Sequence, residues 1–104
     1  MADHFVRAAS LAEIPPGQLA RARIGGRRIL LANVDGEIFA TDELCTHEDS
    51  SLYLGALHGD CVSCTLHGSR FNVRTGEPRE APATEPLRTY PVRIEGDDVL
   101  VCVD

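Results

Sequence analysis

Five side chains able to ligate a metal fall within twenty-three residues: Cys45, His47, Cys61, Cys64 and His67. They form two boxes, Cys45-Thr46-His47 and Cys64-Thr65-Leu66-His67, with Cys61 three residues ahead of the second box and sixteen residues between His47 and Cys64. Gly55 and Gly59 lie in that interval. This pattern constrains the fold more than any other feature. Two loops, each carrying one thiol and one imidazole, must be folded towards each other by whatever scaffold holds them.

The scaffold reads as strands. Phe5–Ala8 is a short candidate, and Gln18–Ile24 alternates before a Gly25-Gly26 turn. The run 28–34 meets Asp35-Gly36 and continues as 37–41. Asp-Gly between two such runs is a hairpin signal, because a type I′ turn needs positive φ. Residues 87–94, a turn at 95–97 and a strand at 99–103 make a further hairpin, in which Pro91 marks an edge position or a bulge. The one helical signal is a single turn at 10–14, with Ser10 as cap and Glu13 three residues on. Four prolines within 78–91 predict an ordered loop draped over the fold, and the stretch 42–76, dense in Cys, His, Gly and acids, reads as a site-bearing insertion in a β scaffold. With 104 residues and no linker or repeat, one domain spanning 1–104 is expected.

Charge and flanks exclude several functions. The net charge is −6, but residues 1–30 carry five arginines against two acids, whereas the remaining seventy-four carry five against fourteen. A polyanion such as DNA or RNA is therefore not the expected partner. An acidic surface suits brief meetings with a basic patch on another protein, and the early arginines read as the solvated face of a hairpin. No signal peptide or twin-arginine signal opens the chain, and no apolar stretch approaches the ~20 residues that span a bilayer. A cytoplasmic location follows as the expectation. Reduced cysteines there serve as metal ligands or core thiols.

From spacing alone two metal chemistries compete. Structural zinc favours C-x₂₋₄-C and H-x₃₋₅-H pairs, which Cys61-x-x-Cys64 and His67 fit in part. Cys45-x-His47 is too tight for those pairs. Two Cys+His loops suit a binuclear iron–sulfur cluster better, with both cysteines on one iron and both histidines on the other. Spacing favours the cluster only modestly.

The flanking residues carry more. Cys45-Thr46-His47, Leu52, Gly55, Leu57, Gly59, Cys64, His67-Gly68, Phe71, Thr75-Gly76 and Pro82 resemble the Rieske ferredoxins of bacterial aromatic-ring-hydroxylating dioxygenase systems. The likeness extends through Ile38–Asp42 and Leu87–Val92, so it covers roughly the whole chain. It implies an all-β Rieske fold, an antiparallel sandwich-like base with a small cluster-binding subdomain at about 43–72. It also implies one [2Fe–2S] cluster, with Cys45 and Cys64 on one iron and His47 and His67 on the other. The activity implied is electron carriage from an NAD(P)H-dependent flavin reductase to a terminal oxygenase, not catalysis by the chain itself. A monomer is expected, since a shuttle presents one face to two partners in turn. The alternatives are a small Rieske subunit of a reductase such as nitrite reductase and, less favoured, a zinc-stabilised interaction module. The cytochrome bc type carries an inter-loop disulfide, but Ser50 and Leu66 occupy the corresponding positions here. Biphenyl-, naphthalene- and carbazole-type systems all use such carriers, so the aromatic substrate stays open.

Four residues depart from the ferredoxin pattern: Glu48 for glycine, Thr65 for proline, Cys61 for an aliphatic residue and Ser69 for glycine. None removes a ligand; they bear on the potential. Two neutral imidazoles in place of thiolates move the potential from about −400 mV towards about −150 to +300 mV, and the missing disulfide argues for the low end. Ser69 is expected to donate a hydrogen bond to a cluster sulfide and raise the potential somewhat. Histidine ligation predicts a potential that falls by about 59 mV per pH unit above the oxidised-state pKa. His4 and His58 read as surface residues, and Cys102 as a core thiol. Cys61 reads as a core thiol or a zinc ligand in misloaded protein. Glu48, Asp49 and Asp60 read equally well as steering partners or as ordinary solvated acids, and Tyr53 and Leu54 as touching a partner or shielding the site.

Overall fold

The computed structural model describes residues 4–46, 50–65, 68–81 and 83–103. Within them the chain forms eleven antiparallel strands in three sheets. A four-stranded sheet holds β2 (Leu19–Ile24), β3 (Arg27–Val34), β4 (Glu37–Asp42) and β9 (Thr89–Tyr90), in that order. A three-stranded sheet pairs β1 (Phe5–Ser10) with β11 (Asp98–Cys102) and β11 with β10 (Val92–Glu95). The third sheet runs β5 (Ala56–His58), β6 (Cys61–Ser63), β7 (Arg70–Asn72), β8 (Pro78–Glu80).

β3 is the spine. From Ile29 to Val34 every residue is buried, as a strand covered on both faces requires. Its alternation sorts the core into two. Ile29 and Leu31 pack with Ala9, Ile38, Ala40, Val99 and Val101 between the first two sheets. Leu30, Ala32 and Val34 point the other way, into a cluster with Leu52, Val62, Phe71, Val73 and Leu87. Asn33 is the buried polar member of this strand, and it caps both sides of its surroundings. Its Nδ2 donates to the Ile14 carbonyl (2.7 Å), and its Oδ1 accepts from Gly36 N–H (2.7 Å).

Local chemistry explains the hairpins. Asp35 and Gly36 both have positive φ (52° and 95°), the geometry that a type I′ turn demands. Ser10 and Glu13 close the expected capping box, over a 3₁₀ turn at Leu11–Glu13. A second 3₁₀ turn, Leu52–Leu54, was not foreseen; the Ser51 side chain caps it.

Two expectations are corrected. The run 87–94 is not one strand: β9 pairs with β4 while β10 pairs with β11. Pro91 sits where the chain leaves one sheet for another, since it has no N–H to extend either ladder. The stretch 78–91 is likewise not loop throughout, for β8 adds an edge strand to the third sheet.

Candidate metal centre

Cys45 and Cys64 are held by matching backbone hydrogen bonds. Cys45 N–H donates to the Ser50 carbonyl (2.9 Å), and Cys64 N–H donates to the Ser69 carbonyl (2.7 Å). Each bond runs from a cysteine to the residue five further on, so each loop is closed by the same span of chain. Gly68 N–H returns to the Cys64 carbonyl (3.2 Å) and tightens the second loop. Leu52 N–H to the Glu43 carbonyl (2.8 Å) and a bridge between Leu44 and Ser51 extend the closure of the first.

The segment after β8 ties the loops together. Thr46 Oγ1 donates to the Glu85 carbonyl (2.7 Å), and Ala83 N–H donates to Ser69 Oγ (3.1 Å). Leu87 N–H holds the segment's far end to the Gly76 carbonyl (2.8 Å). This is the ordered drape that its prolines predict; Pro82 lies outside the described residues. Ser69 is fully buried, and as its oxygen accepts from Ala83, its proton is left for another acceptor.

Cys45 and Cys64 are 3% and 5% exposed and belong to one apolar cluster with Leu30, Leu52, Val62 and Phe71. Two loops far apart in sequence therefore bring their sulfurs into the same dry core. Two buried thiols from two loops are what the cysteine half of a [2Fe–2S] donor set requires, so the residues present fit the group. His47 and His67, the other two predicted ligands, lie outside the described residues, as do Glu48, Asp49 and Leu66. Among the described residues no three Cys, His, Asp or Glu side chains gather as a metal site.

The zinc pairing of Cys61 with Cys64 finds no support in the strand geometry. Along 61–64 burial alternates, with Val62 and Cys64 facing the core and Cys61 and Ser63 facing away. Residues three apart on an extended chain are also about 10 Å apart. Cys61 Sγ instead donates to Asp60 Oδ1 (3.5 Å), and burial, then that bond and the Asp60 charge, push its thiol pKa up. Cys102 is buried in β11 as a core thiol. His4 and His58 are exposed. Asp60 is partly exposed and accepts from Cys61 Sγ and from Asn72 Nδ2 (3.4 Å), with Arg74 Nε at 3.7 Å.

Sequence reasoning missed Glu43. It lies two residues before Cys45 and is 2% exposed. Its carboxylate accepts from Arg28 Nε and Nη2 (3.3 and 3.0 Å) and from Ser51 Oγ, with Arg21 Nη1 at 3.7 Å. Burial alone raises its pKa; the bonds from Ser51 and Arg28 and the charges of Arg28 and Arg21 outweigh it and hold the group below its ordinary value. Glu43 thus staples both legs of the first loop to β3. No local signal marks it, because its partners stand fifteen and eight residues away.

Comparison with known proteins decides which family uses this geometry. Residues 4–91 match the model of the Rieske [2Fe-2S] domain. The chain belongs to the Rieske family. A Rieske relative, the biphenyl dioxygenase ferredoxin subunit of Pseudomonas sp. (strain KKS102), is 48% identical over 98 residues, 93% of this chain and 90% of that one. Among solved Rieske structures, the Sphingomonas yanoikuyae B1 ferredoxin superposes with a TM-score of 0.92 at 32% identity, covering 97% of this chain and 100% of that one. A complex of reduced oxygenase and oxidised ferredoxin in carbazole 1,9a-dioxygenase matches with a TM-score of 0.89 at 32% identity, over 97% and 94%. The all-β Rieske fold and one Rieske-type [2Fe–2S] cluster follow for this chain.

Proposed function

We propose that this chain is the ferredoxin component of an aromatic-ring-hydroxylating dioxygenase system, carrying single electrons from an NAD(P)H-dependent flavin reductase to a terminal oxygenase. The observation that carries the reading is the presence of Cys45 and Cys64, each bonded to the residue five further on, in one buried cluster. Nearly half of the residues are shared with a biphenyl dioxygenase ferredoxin subunit, which favours this role over that of a nitrite reductase subunit. When bound, the cluster supplies a one-electron couple.

In this reading Cys45 and Cys64 hold one iron and His47 and His67 the other, within a cluster-binding unit at 43–72 of a single domain. The chain's own work is positional. Leu30, Leu52, Val62 and Phe71 keep water from the sulfurs, and the Glu43 staple and the 83–87 segment fix where the loops stand. No helix among the described residues is long and apolar enough to cross a membrane, which accords with a carrier working in the cytoplasm.

Optical and low-temperature EPR spectra, before and after dithionite, test the assignment. The expected result is a red-brown protein that bleaches and gives a rhombic signal with average g below that of all-cysteine clusters. Cys45→Ser, Cys64→Ser, His47→Ala and His67→Ala abolish that signal, while His58→Ala and Cys102→Ser keep it. A colourless, EPR-silent protein with stoichiometric zinc that also resists reconstitution with iron and sulfide overturns the reading.

A further inference from the structure

The arginines near the start of the chain do not spread over a hairpin at random. The β2–β3 register places Arg23 directly opposite Arg28, with Arg21 two residues along on the same face. Glu43 N–H to the Arg28 carbonyl (3.1 Å) carries that row one strand further. Arg21, Arg23, Arg28 and Glu43 line one open cleft of about 400 Å³. One carboxylate answers three guanidiniums: Arg28 and Arg21 reach it, and Arg23 has no ion-pair partner among the described residues.

Like charges directly across a strand pair destabilise the sheet. Solubility does not call for this surplus either, since the chain as a whole is at −6. The surplus is compensated when something anionic covers it. Beside it, Arg21 lies over the Tyr53 ring (4.7 Å to the centroid), and Leu54 is 66% exposed. A small anion has no use for an exposed aromatic and a leucine. Arginine and tyrosine together are what protein interfaces concentrate. Tyr53 and Leu54 belong to the turn that follows the first cysteine loop, and Ser51, which caps that turn, bonds Glu43 in the cleft, so this face adjoins the base of that loop.

Resting on the carrier reading above, we propose that the Arg21–Arg23–Arg28 face, with Tyr53 and Leu54, is the docking surface for a carboxylate-rich patch on the electron-donating flavin reductase. Charge selects the donor over the acceptor. In the transfer one electron leaves the reduced flavin and arrives on the carrier, and no bond forms or breaks. The carrier becomes one charge more negative close to the arginines, so its attraction for carboxylates weakens on reduction. An acidic donor thereby binds the oxidised carrier and releases the reduced one. An acidic acceptor would hold its product more tightly than its substrate.

Arg23→Glu is the informative variant, because the new carboxylate faces Arg28 and relieves a repulsion. Its thermal midpoint and EPR spectrum are expected to match or exceed wild type. The probe is the flavin reductase component of a biphenyl dioxygenase system, immobilised, with the holo-carrier passed over it across an ionic-strength series. Wild type is expected to bind more weakly as salt rises, and the oxidised form to bind more tightly than the dithionite-reduced form. Arg23→Glu is expected to lose at least tenfold in affinity at low salt and to flatten the salt dependence. Equal binding of variant and wild type at low salt overturns the docking surface while leaving the carrier role intact, provided the reductase reduces both. Failure of the reductase to reduce wild type overturns the carrier reading, and the docking surface with it. Selective displacement by inorganic phosphate at constant ionic strength, or a salt-sensitive dimer abolished by Arg23→Glu, replaces the reductase with a small anion or a second copy of the chain and so overturns the proposal.

Discussion

Replacing Glu43 by Gln keeps the shape of the staple and removes its charge. Arg21 and Arg28 are about half exposed, so solvent screens the Coulombic part. What is lost is the strength of the bonds from Ser51 and Arg28 to a buried carboxylate, about 1–3 kcal/mol by denaturant titration. Because the folded-state pKa is depressed, this stabilisation is complete above the ordinary value of 4.5 and disappears as pH falls through the folded value. Glu43→Gln is therefore expected to show a shallower acid limb in stability against pH. Tyr90 behaves in the opposite sense. Burial, then its hydrogen bond to Asp42 and the Asp42 charge, raise its pKa. The stabilisation is present below about pH 10 and lost as pH rises through the folded value. Absorbance near 295 nm in a Tyr53→Phe background is expected to show Tyr90 ionising later than a free phenol, and Tyr90→Phe to flatten the alkaline limb of unfolding.

At the scale of elements, the second cysteine loop depends on a close approach between the Leu52–Leu54 turn and β6. A Cβ on Gly55 would lie 1.8 Å from the Ser63 carbonyl oxygen, next to Cys64, and that oxygen belongs to backbone that cannot step aside. Gly55→Ala is expected to cost about 1–3 kcal/mol. At about 4–8 °C per kcal/mol for a domain of this size, calorimetry should find the midpoint well below wild type. Iron retention after gel filtration is expected to fall with it, whereas Cys61→Val, on the opposite face of β6, keeps both iron and spectrum. The tight turns were legible beforehand because their signals are local: the Asp35-Gly36 hairpin turn and the Ser10–Glu13 capping box each act within four residues. Sheet membership was not legible. Whether Thr89–Tyr90 and Val92–Glu95 pair with β4 or β11 depends on partners forty-eight and fifty residues away in one case and three to nine residues away in the other.

For the whole molecule, the Rieske fold implies a small electron carrier whose redox behaviour follows the ligands of its cluster. The midpoint potential is expected to lie within about −150 to +300 mV. By voltammetry it should fall by about 59 mV per pH unit at alkaline pH, and a flat profile there would contradict histidine ligation. Ser69→Ala is expected to lower it, since the Ser69 hydroxyl is buried beside the Cys64 loop with its proton uncommitted to Ala83. The two Cys/His boxes were visible in residue order, because Cys45, His47, Cys64 and His67 keep their spacing however the strands are arranged, but spacing alone left zinc and an iron–sulfur cluster both open and the flanking residues carried the proposed donor set. The turns and the β character of the chain were equally local. Tertiary structure alone decided how the loops are closed, which thiols share a dry core and which face solvent. It turned Cys61 away while turning Cys64 in, joined Glu43 to Arg28 and Ser51, and gathered Arg21, Arg23 and Arg28 on one face beside the first loop. Those outcomes depend on cross-strand register and on desolvation, both set by residues remote in sequence, and no short window of residues contains them.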